Sequence, residues 1–213
     1  MVSCVMDCAI MNIKLLVLVR VIMTSKKDVI IQSADTVFNA EGYISPSIDK
    51  IVMSSNVSKM TFYKYFPDKE SLIIEVLEKR KTFFIHEIKN VIDSAPDAKG
   101  KLRAVFDFYQ KWFDSRDFNG CMFERASLEY GSMSPMIRYI NDSFKQEMCR
   151  LLADVIKGCL RPEPAERCAL TVMMMIDGAI AAALCPSMTR EFPPLTLIWS
   201  ATKSIIFNEG GEL

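Results

Sequence analysis

The sequence predicts an all-α fold. Apolar residues recur at helical spacing along the chain, and no segment alternates between apolar and polar residues as a half-buried strand does. Glycine and proline are sparse, so the helical segments are long and the breaks between them are short. Of the 213 residues 50% are hydrophobic, which is enough to bury a substantial core.

Charge and cysteine content narrow the range of functions. The formal net charge is zero, so an anionic partner must be met by a local patch of basic residues. The seven cysteines are odd in number and never spaced as CxxC, which favours reduced thiols and a cytoplasmic protein over a disulfide framework or a zinc site. Residue patterns for catalysis or phosphate binding are missing as well. We therefore expect no metal, no cofactor and no enzymatic activity.

The first 22 residues differ from the rest. They are apolar but contain Lys14 and Arg20, they fall short of a membrane span, and no signal-peptide cleavage site follows them. The segment that starts at Met23 reads like an ordinary protein N-terminus. We expect residues 1–22 to be a disordered or mis-assigned extension, and we expect no membrane association.

The first predicted helix runs from Ser25 to Gly42. Ile30, Ala34 and Phe38 repeat every four residues and define its buried face. Gly42 suits the position of positive φ that closes many helices.

Two short helices are predicted next, joined by a tight turn. Ser45 or Ser47 can cap a helix from Ile48 to about Ser54, and Asn56 tolerates the positive φ that a tight turn requires. Ser58 can cap a third helix, 59–65, which Pro67 stops. Asp68 then caps a fourth helix ending near Asp93. The second and third helices with their turn make a helix-turn-helix.

The third predicted helix has two chemically different sides. Val57 and Phe62 are expected to pack on the first helix, while hydroxyl and ammonium groups cover the other side, as a helix in a DNA groove requires. Lys59 and Thr61 are the predicted base contacts, and the other residues are expected to position the helix on phosphates. The predicted DNA-binding residues are Ser47, Ser58, Lys59, Thr61, Tyr63, Lys64, Tyr65 and Lys69.

The run "SKMTFYKYFPDKESL", together with the earlier "IIQSADTVFNAEGY", resembles the DNA-binding segment of TetR/AcrR-type bacterial repressors over about residues 26–77. The resemblance implies a three-helix DNA-binding domain, 23–70, followed by a larger helical domain, 71–213, for effector binding and dimerisation. It also implies a homodimer on palindromic double-stranded DNA that a small molecule releases. Asn56 replaces the family's usual glycine in the turn, and Met60 replaces another glycine, which bears on the operator sequence.

The rest of the chain reads as long amphipathic helices. Helices are expected over 99–114, 121–131, 135–160 and 165–185, with a last one ending near Asn208. "NGCMFERASLEYG" and "MMMIDGAIAAAL" resemble parts of the same family's regulatory half. In the family the last two helices pair with their copies in the partner. Small residues at 178–183 and apolar residues at 199–207 fit that role.

An effector site is expected in this second part. Its predicted residues are Phe106, Tyr109, Trp112, Met122, Arg125, Met174 and Asp177. Arg125 and Glu129 are also spaced as an ordinary helical ion pair. For Cys121 a buried structural thiol is the favoured interpretation, and a redox- or electrophile-sensing thiol is the alternative. The alternative function for the whole chain is a helical interaction adaptor whose helix-turn-helix no longer binds DNA.

Overall fold

The computed structural model describes residues 25–213, so the expectations for residues 1–22 and for a start at Met23 lie outside it. Ten helices and no strand occupy the described range, which confirms the all-α prediction. The helices are α1 (Lys26–Glu41), α2 (Ile48–Ser55), α3 (Lys59–Tyr65), α4 (Lys69–Asp93), α5 (Ala98–Phe113), α6 (Met122–Tyr130), α7 (Pro135–Ile156), α8 (Pro162–Ala183), α9 (Pro186–Thr189) and α10 (Pro194–Asn208).

The first four helices begin where their capping residues predict. The side chains of Ser25, Ser47, Ser58 and Asp68 each accept a hydrogen bond from the backbone N–H three residues further on. Asn56 adopts the left-handed conformation at φ 53° and ψ 40°, which ends α2 and lets α3 begin two residues later. Residues close together in the sequence therefore determine where the helices of the helix-turn-helix begin and end.

Helices α1 to α3 pack on one another, and we call this group of helices the head. The α1 side chains Ile30 and Phe38 are fully buried, as are Ile51 of α2 and Phe62 of α3. The Phe62 ring also lies 5.8 Å from the ring of Phe66, which closes the C-terminal end of α3. Because α3 is held on one side by this core, its opposite side is free to face a partner.

Helix α4 belongs to both parts of the molecule. Near its start it packs on α1, and Arg80 reaches back to Asp35 of that helix. Further along, Phe84 lies 5.1 Å from Phe108 of α5 and 5.5 Å from Phe144 of α7, ring centre to ring centre. α4 is continuous through the predicted domain boundary at 70/71, and the division of the chain at that point stays a prediction.

Helices α5 to α10 form the body. α7 packs against α4, α5, α6 and α8, while α10 lies on α8 and α5. In the part of the chain that is described, none of the helices combines the length and the apolarity that crossing a membrane takes.

Several helix limits in the body differ from the predictions. α8 begins at Pro162 rather than at Ala165, because proline fits the first turn of a helix, where its missing N–H is not needed. α7 ends at Ile156 rather than at Leu160, and Gly158 bonds to the carbonyl of Val155 in a tighter turn. The one-turn helix α9 was not predicted.

Candidate functional site

The outer side of α3 is the first candidate site. Lys59, Met60, Tyr63 and Lys64 are exposed on it, while Phe62 anchors the helix in the core of the head. Residues three and four positions apart share a helix face, so Met60, Tyr63 and Lys64 lie together. The structure thus leaves an apolar, a phenolic and a cationic side chain free on one surface.

The two predicted base contacts are already engaged within the head. The Nζ of Lys59 lies 2.7 Å from a carboxylate oxygen of Asp49 on α2, and the hydrogen bond to that carboxylate raises the pKa of Lys59. The hydroxyl of Thr61 is half-buried and 2.9 Å from the hydroxyl of the capping Ser58. Lys64, in contrast, forms no ion pair with any residue in 25–213. It is the cation on this helix that is free for a phosphate.

The remaining predicted DNA-binding residues also have roles within the protein. The hydroxyls of Ser47 and Ser58 cap α2 and α3. Tyr65 is half-buried and packs on the core, with the Lys64 ammonium 5.9 Å from its ring centre. Lys69 donates a 2.9 Å hydrogen bond to the carbonyl oxygen of Ile44, and burial lowers its pKa. An ammonium has three donors, so Lys69 keeps the capacity for a further contact.

The second candidate site is a cavity between α4, α5, α6, α7 and α8. Its volume is about 20 Å³, which is room for roughly one water molecule. Its lining residues are Arg80, Phe84, Tyr109, Trp112, Cys121, Met122, Phe123, Phe144, Lys145, Met173 and Ile180. Aromatic rings form much of this wall, so an apolar molecule could enter only if some of them moved.

Three of the seven predicted effector residues line the cavity, namely Tyr109, Trp112 and Met122. Four do not. Phe106 is buried elsewhere, against the ring of Trp199 at 5.5 Å, and Met174 is 59% exposed on the outer side of α8. The structure therefore does not bring Met174 to this cavity. α8 is apolar on more than one face, so its pattern does not show which methionine points inward.

Arg125 and Asp177, the other two, take part in ion pairs, and only that of Asp177 involves a cavity residue, Lys145. Asp177 pairs with Lys145, whose Nζ also lies 2.6 Å from a carboxylate oxygen of Glu124. Burial raises the pKa of Asp177, and the neighbouring ammonium only partly offsets that rise. Burial alone would lower the pKa of Lys145, but the negative groups around it raise it, so this lysine is held charged at the cavity wall.

Sequence reasoning missed Lys145 and its neighbour Phe144. Phe123 and Phe144 stack with ring centres 4.1 Å apart, and Phe144 and Lys145 are neighbours on α7. A lysine next to a core phenylalanine is common at the border of an amphipathic face, so no local signal distinguished this one.

Cys121 lies at the cavity where α6 begins. Burial raises the pKa of its thiol, although the Lys145 ammonium and backbone hydrogen bonds act in the opposite direction. A raised pKa keeps the thiol protonated and unreactive at neutral pH. This agrees with the favoured interpretation of Cys121 as a structural thiol.

Two sets of contacts connect the cavity region to the head. The first is Arg80, which lines the cavity and also donates from Nε and Nη2 to both carboxylate oxygens of Asp35 on α1, at 2.9 and 3.0 Å. The two side chains are only 14% and 9% exposed. Buried ion pairs of this geometry fix the relative position of the helices that carry them.

The second set joins α6 to the loop between α1 and α2, and we call it the junction. One carboxylate oxygen of Glu129 accepts hydrogen bonds from the backbone N–H groups of Tyr43 and Ile44, at 2.6 and 2.9 Å. The other oxygen accepts from Arg125 at 2.8 Å, which confirms the predicted helical pair. Burial would raise the pKa of Glu129, but the hydrogen bonds from Arg125 and the two amides outweigh it and lower the pKa.

The junction is tightly packed. The phenol of Tyr43 is fully buried and donates to the carbonyl of Met122, at the cavity end of α6. Gly42 has φ 82°, and a Cβ there would lie 2.5 Å from a guanidinium nitrogen of Arg125. The positive φ is what requires glycine here, because the Arg125 guanidinium is the end of a flexible side chain and could shift.

A third surface feature is the outer side of α8 and α10. Leu170 and Met174 of α8 and Leu197 and Phe207 of α10 are exposed large apolar side chains, and so are Leu184, which follows α8, and Phe192, which precedes α10. Gly178 and Ala181 are exposed between them, whereas Ala179 and Ile206, also expected on this surface, face the core. These side chains are the candidate surface for contact with another protein.

The fold and these surfaces define the class of protein first: a helix-turn-helix protein with an exposed third helix and a helical body. A sequence profile described as "Bacterial regulatory proteins, tetR family" matches residues 30–76. The HTH-type transcriptional regulator YuxN of Bacillus subtilis is 32% identical over 152 residues, 70% of this chain and 52% of that protein. The chain thus spans about half the length of that relative.

Two further similarities cover more of the other protein. The repressor NemR of Escherichia coli (strain K12) is 21% identical over 177 residues, 78% of this chain and 85% of NemR. The crystal structure of SCO4454, a TetR-family transcriptional regulator from Streptomyces coelicolor, has the same fold, with a TM-score of 0.76, 23% identity and coverage of 86% and 95% of the two chains. Residues 30–76 therefore match the DNA-binding segment of the TetR family of bacterial regulatory proteins, and the fold of the described residues is like that of SCO4454. Since this family and these relatives are regulators, the expectation of a regulator rather than an enzyme agrees with them.

Proposed function

We propose that the protein is a transcriptional repressor that binds a palindromic DNA operator as a homodimer in the cytoplasm. The observation that carries this proposal is the outer side of α3, where Lys64 has no acidic partner within residues 25–213 and Tyr63 is 51% exposed beside it. A cation and a phenol on a helix held by a buried anchor suit the positioning of that helix on DNA phosphates. Repression is supported by the relative NemR, which is a transcriptional repressor.

We assign a DNA contact to each side chain according to whether it already has a partner within the protein. Tyr63, Lys64 and Lys69 are proposed to contact phosphates, with Tyr65 and the capping serines supporting them. Lys59 and Thr61 remain candidates for base contacts, and both must first exchange their internal partners, Asp49 and Ser58, for DNA. The ion pair between Lys59 and Asp49 is exposed, and exposed ion pairs are weak, so this exchange costs little.

Dimerisation is proposed through the outer side of α8 and α10. The exposed apolar side chains there would be covered by the same surface of a second copy, as two-fold symmetry requires. Met174→Glu places a charge in this surface and should shift the protein from dimer to monomer in light scattering. Leu128→Glu is the matched control, because Leu128 is 86% exposed on α6, away from that surface. A monomeric wild-type protein would contradict the proposal.

Release from DNA by a small apolar effector is proposed to begin at the cavity. An effector that fills it must displace aromatic side chains next to α4 and α6. Arg80 would then move relative to Asp35, and Met122 relative to Tyr43, which changes the position of the head. The support for this proposal is that the two sets of contacts start at cavity residues and end in the head.

The decisive experiment is selection of binding sites from random duplex DNA by the full chain, in parallel with Lys64→Ala. The wild type should recover an inverted repeat whose half-sites are about one helical turn apart. The variant should bind the same sequence more weakly, with a smaller dependence on salt, because it makes fewer phosphate contacts. If the wild type binds DNA without sequence preference or not at all, the proposal fails and the adaptor alternative takes its place.

A further inference from the structure

Met60 is the most exposed large apolar side chain of the head. It is 82% exposed at the second position of α3, on the face that also carries Tyr63 and Lys64. A methionine in this position gains nothing from water and contributes nothing to the core. Its place on a surface with an unpaired lysine suggests that it is covered when the partner of that surface binds.

The polar groups on either side of Met60, in the first turn of α3, already have partners within the protein. Lys59 is paired with Asp49 at 2.7 Å, and the hydroxyl of Thr61 is bonded to Ser58 at 2.9 Å. Residues near the N-terminus of a recognition helix are the ones that reach base edges. In this protein, therefore, the exposed side chain of that turn that has neither an ion-pair nor a hydrogen-bond partner is the thioether of Met60.

We propose that Met60 is a specificity-determining residue that contacts the 5-methyl groups of thymines in the major groove. This inference rests on the proposed function and names what the DNA-binding surface selects. In the major groove thymine offers an apolar methyl group, whereas the exposed edges of the other bases offer hydrogen-bond donors and acceptors. A methionine cannot satisfy those polar groups, but its flexible side chain can adapt to a methyl group.

The remaining side chains on the same face hold the helix in register. Lys64 follows Met60 by one helical turn, and Tyr63 lies beside both. With these two groups on phosphates, the first turn of α3 is the part that is pointed into the groove. Each half-site of the operator should therefore contain one or two thymines whose methyl groups contact Met60.

The test uses operators in which single thymines are replaced by uracil, which removes the methyl group and leaves the hydrogen-bonding edge unchanged. The starting sequence is the operator that the full-length wild-type protein selects. Dissociation constants are measured for the wild type, Met60→Ala and Met60→Leu on each substituted duplex. Met133→Ala is the control, because Met133 is 62% exposed in the body.

For the wild type and for Met133→Ala, uracil at one or two positions of a half-site should weaken binding about fourfold, the effect of exposing one buried methyl-sized group. Met60→Ala should bind the thymine and uracil duplexes equally, and Met60→Leu should keep most of the difference. Alanine and leucine both favour helices, so the fold of α3 is preserved.

The inference is overturned if no uracil substitution affects the wild type, or if Met60→Ala keeps the full thymine preference. Either result would leave a selected operator in hand, so the proposed function would stand. Failure of the wild type to select any sequence would overturn both together.

Discussion

The helix-turn-helix and the junction differ in how far apart in the sequence their interacting residues lie. In the helix-turn-helix, Ser47 and Ser58 each cap a helix through an amide three residues away. In the junction, Glu129 binds the amide of Tyr43 across 86 residues, and the phenol of Tyr43 reaches Met122 across 79. The two regions meet in the loop between α1 and α2.

This difference shows which interactions each function depends on. The DNA-binding surface needs helices that begin and end at fixed residues, and local signals are sufficient for that. Communication between a cavity and that surface needs contacts between distant segments, which form only when the whole chain has packed. Variants that break one kind of contact and spare the other should therefore have distinct effects.

The largest effect is expected for the long-range ion pair between Arg80 and Asp35. Arg80→Ala should lower the free energy of unfolding by about 3–5 kcal/mol, because it leaves the buried carboxylate of Asp35 without a counter-charge. Urea denaturation measures this change. The matched control is Asp107→Ala, which removes the exposed ion pair with Arg103 on α5 and should cost about 1 kcal/mol or less. Equal losses for the two variants would mean that the long-range pair contributes no more than a surface pair.

A smaller loss is expected at the junction. Glu129→Ala removes the acceptor of two backbone amides and should cost about 1–3 kcal/mol of unfolding free energy. Glu129→Gln keeps an acceptor oxygen and should lose less. If the junction also positions the head, both variants should weaken operator binding in the same order, although Glu129 is far from α3 in sequence. Unchanged binding at full stability loss would separate the junction from DNA binding.

The Glu129 contribution should depend on pH in a defined direction. Its pKa is lowered in the folded protein, so its charged form stabilises the fold at pH values above the unfolded-state pKa of about 4.3. As the pH falls through the lowered pKa, this contribution is lost. The difference in unfolding free energy between the wild type and Glu129→Gln should be full near pH 7 and shrink below about pH 4. A difference that grows toward acid pH would contradict the assignment.

The local cap of α3 should matter less for stability. Ser58→Ala should cost about 1 kcal/mol, because one backbone amide loses its partner in the first turn. Ser204→Ala is the control: its hydroxyl bonds only the preceding turn of α10, and the change should stay within about 0.5 kcal/mol. A loss at Ser58 as large as that of Arg80→Ala would remove the distinction between local and long-range contacts.

The smallest effect is on reactivity alone. Because burial raises the pKa of Cys121, a neutral alkylating reagent at pH 7.5 should modify it far more slowly than the exposed Cys185. Peptide mapping by mass spectrometry gives the rate at each cysteine. Faster modification of Cys121 would favour the sensing alternative.

The parts of the candidate site that depend on residues close together in the sequence were the easiest to predict. The exposed side of α3 follows from a seven-residue helix with one buried anchor, Phe62, and the contacts of this side with DNA stay a prediction. That Lys59 and Thr61 are engaged by Asp49 and Ser58 required the structure, since the partner of an exposed side chain depends on which helix lies beside it. In the body, three of the predicted effector residues line the cavity. The apolar faces of the helices are broad, so the sequence pattern does not show which residues border a cavity.

The sequence by itself determined the all-α class, the capped starts of the first four helices, the turn at Asn56 and the two-sided character of α3. Each of these depends on groups within a few residues of one another, whose geometry the backbone fixes locally. Only the tertiary structure decided which residues line the cavity, that Lys145 is held there by two carboxylates, and that Glu129 accepts hydrogen bonds from the loop after α1. Those contacts depend on how the helices pack, which is the summed result of burying the whole core.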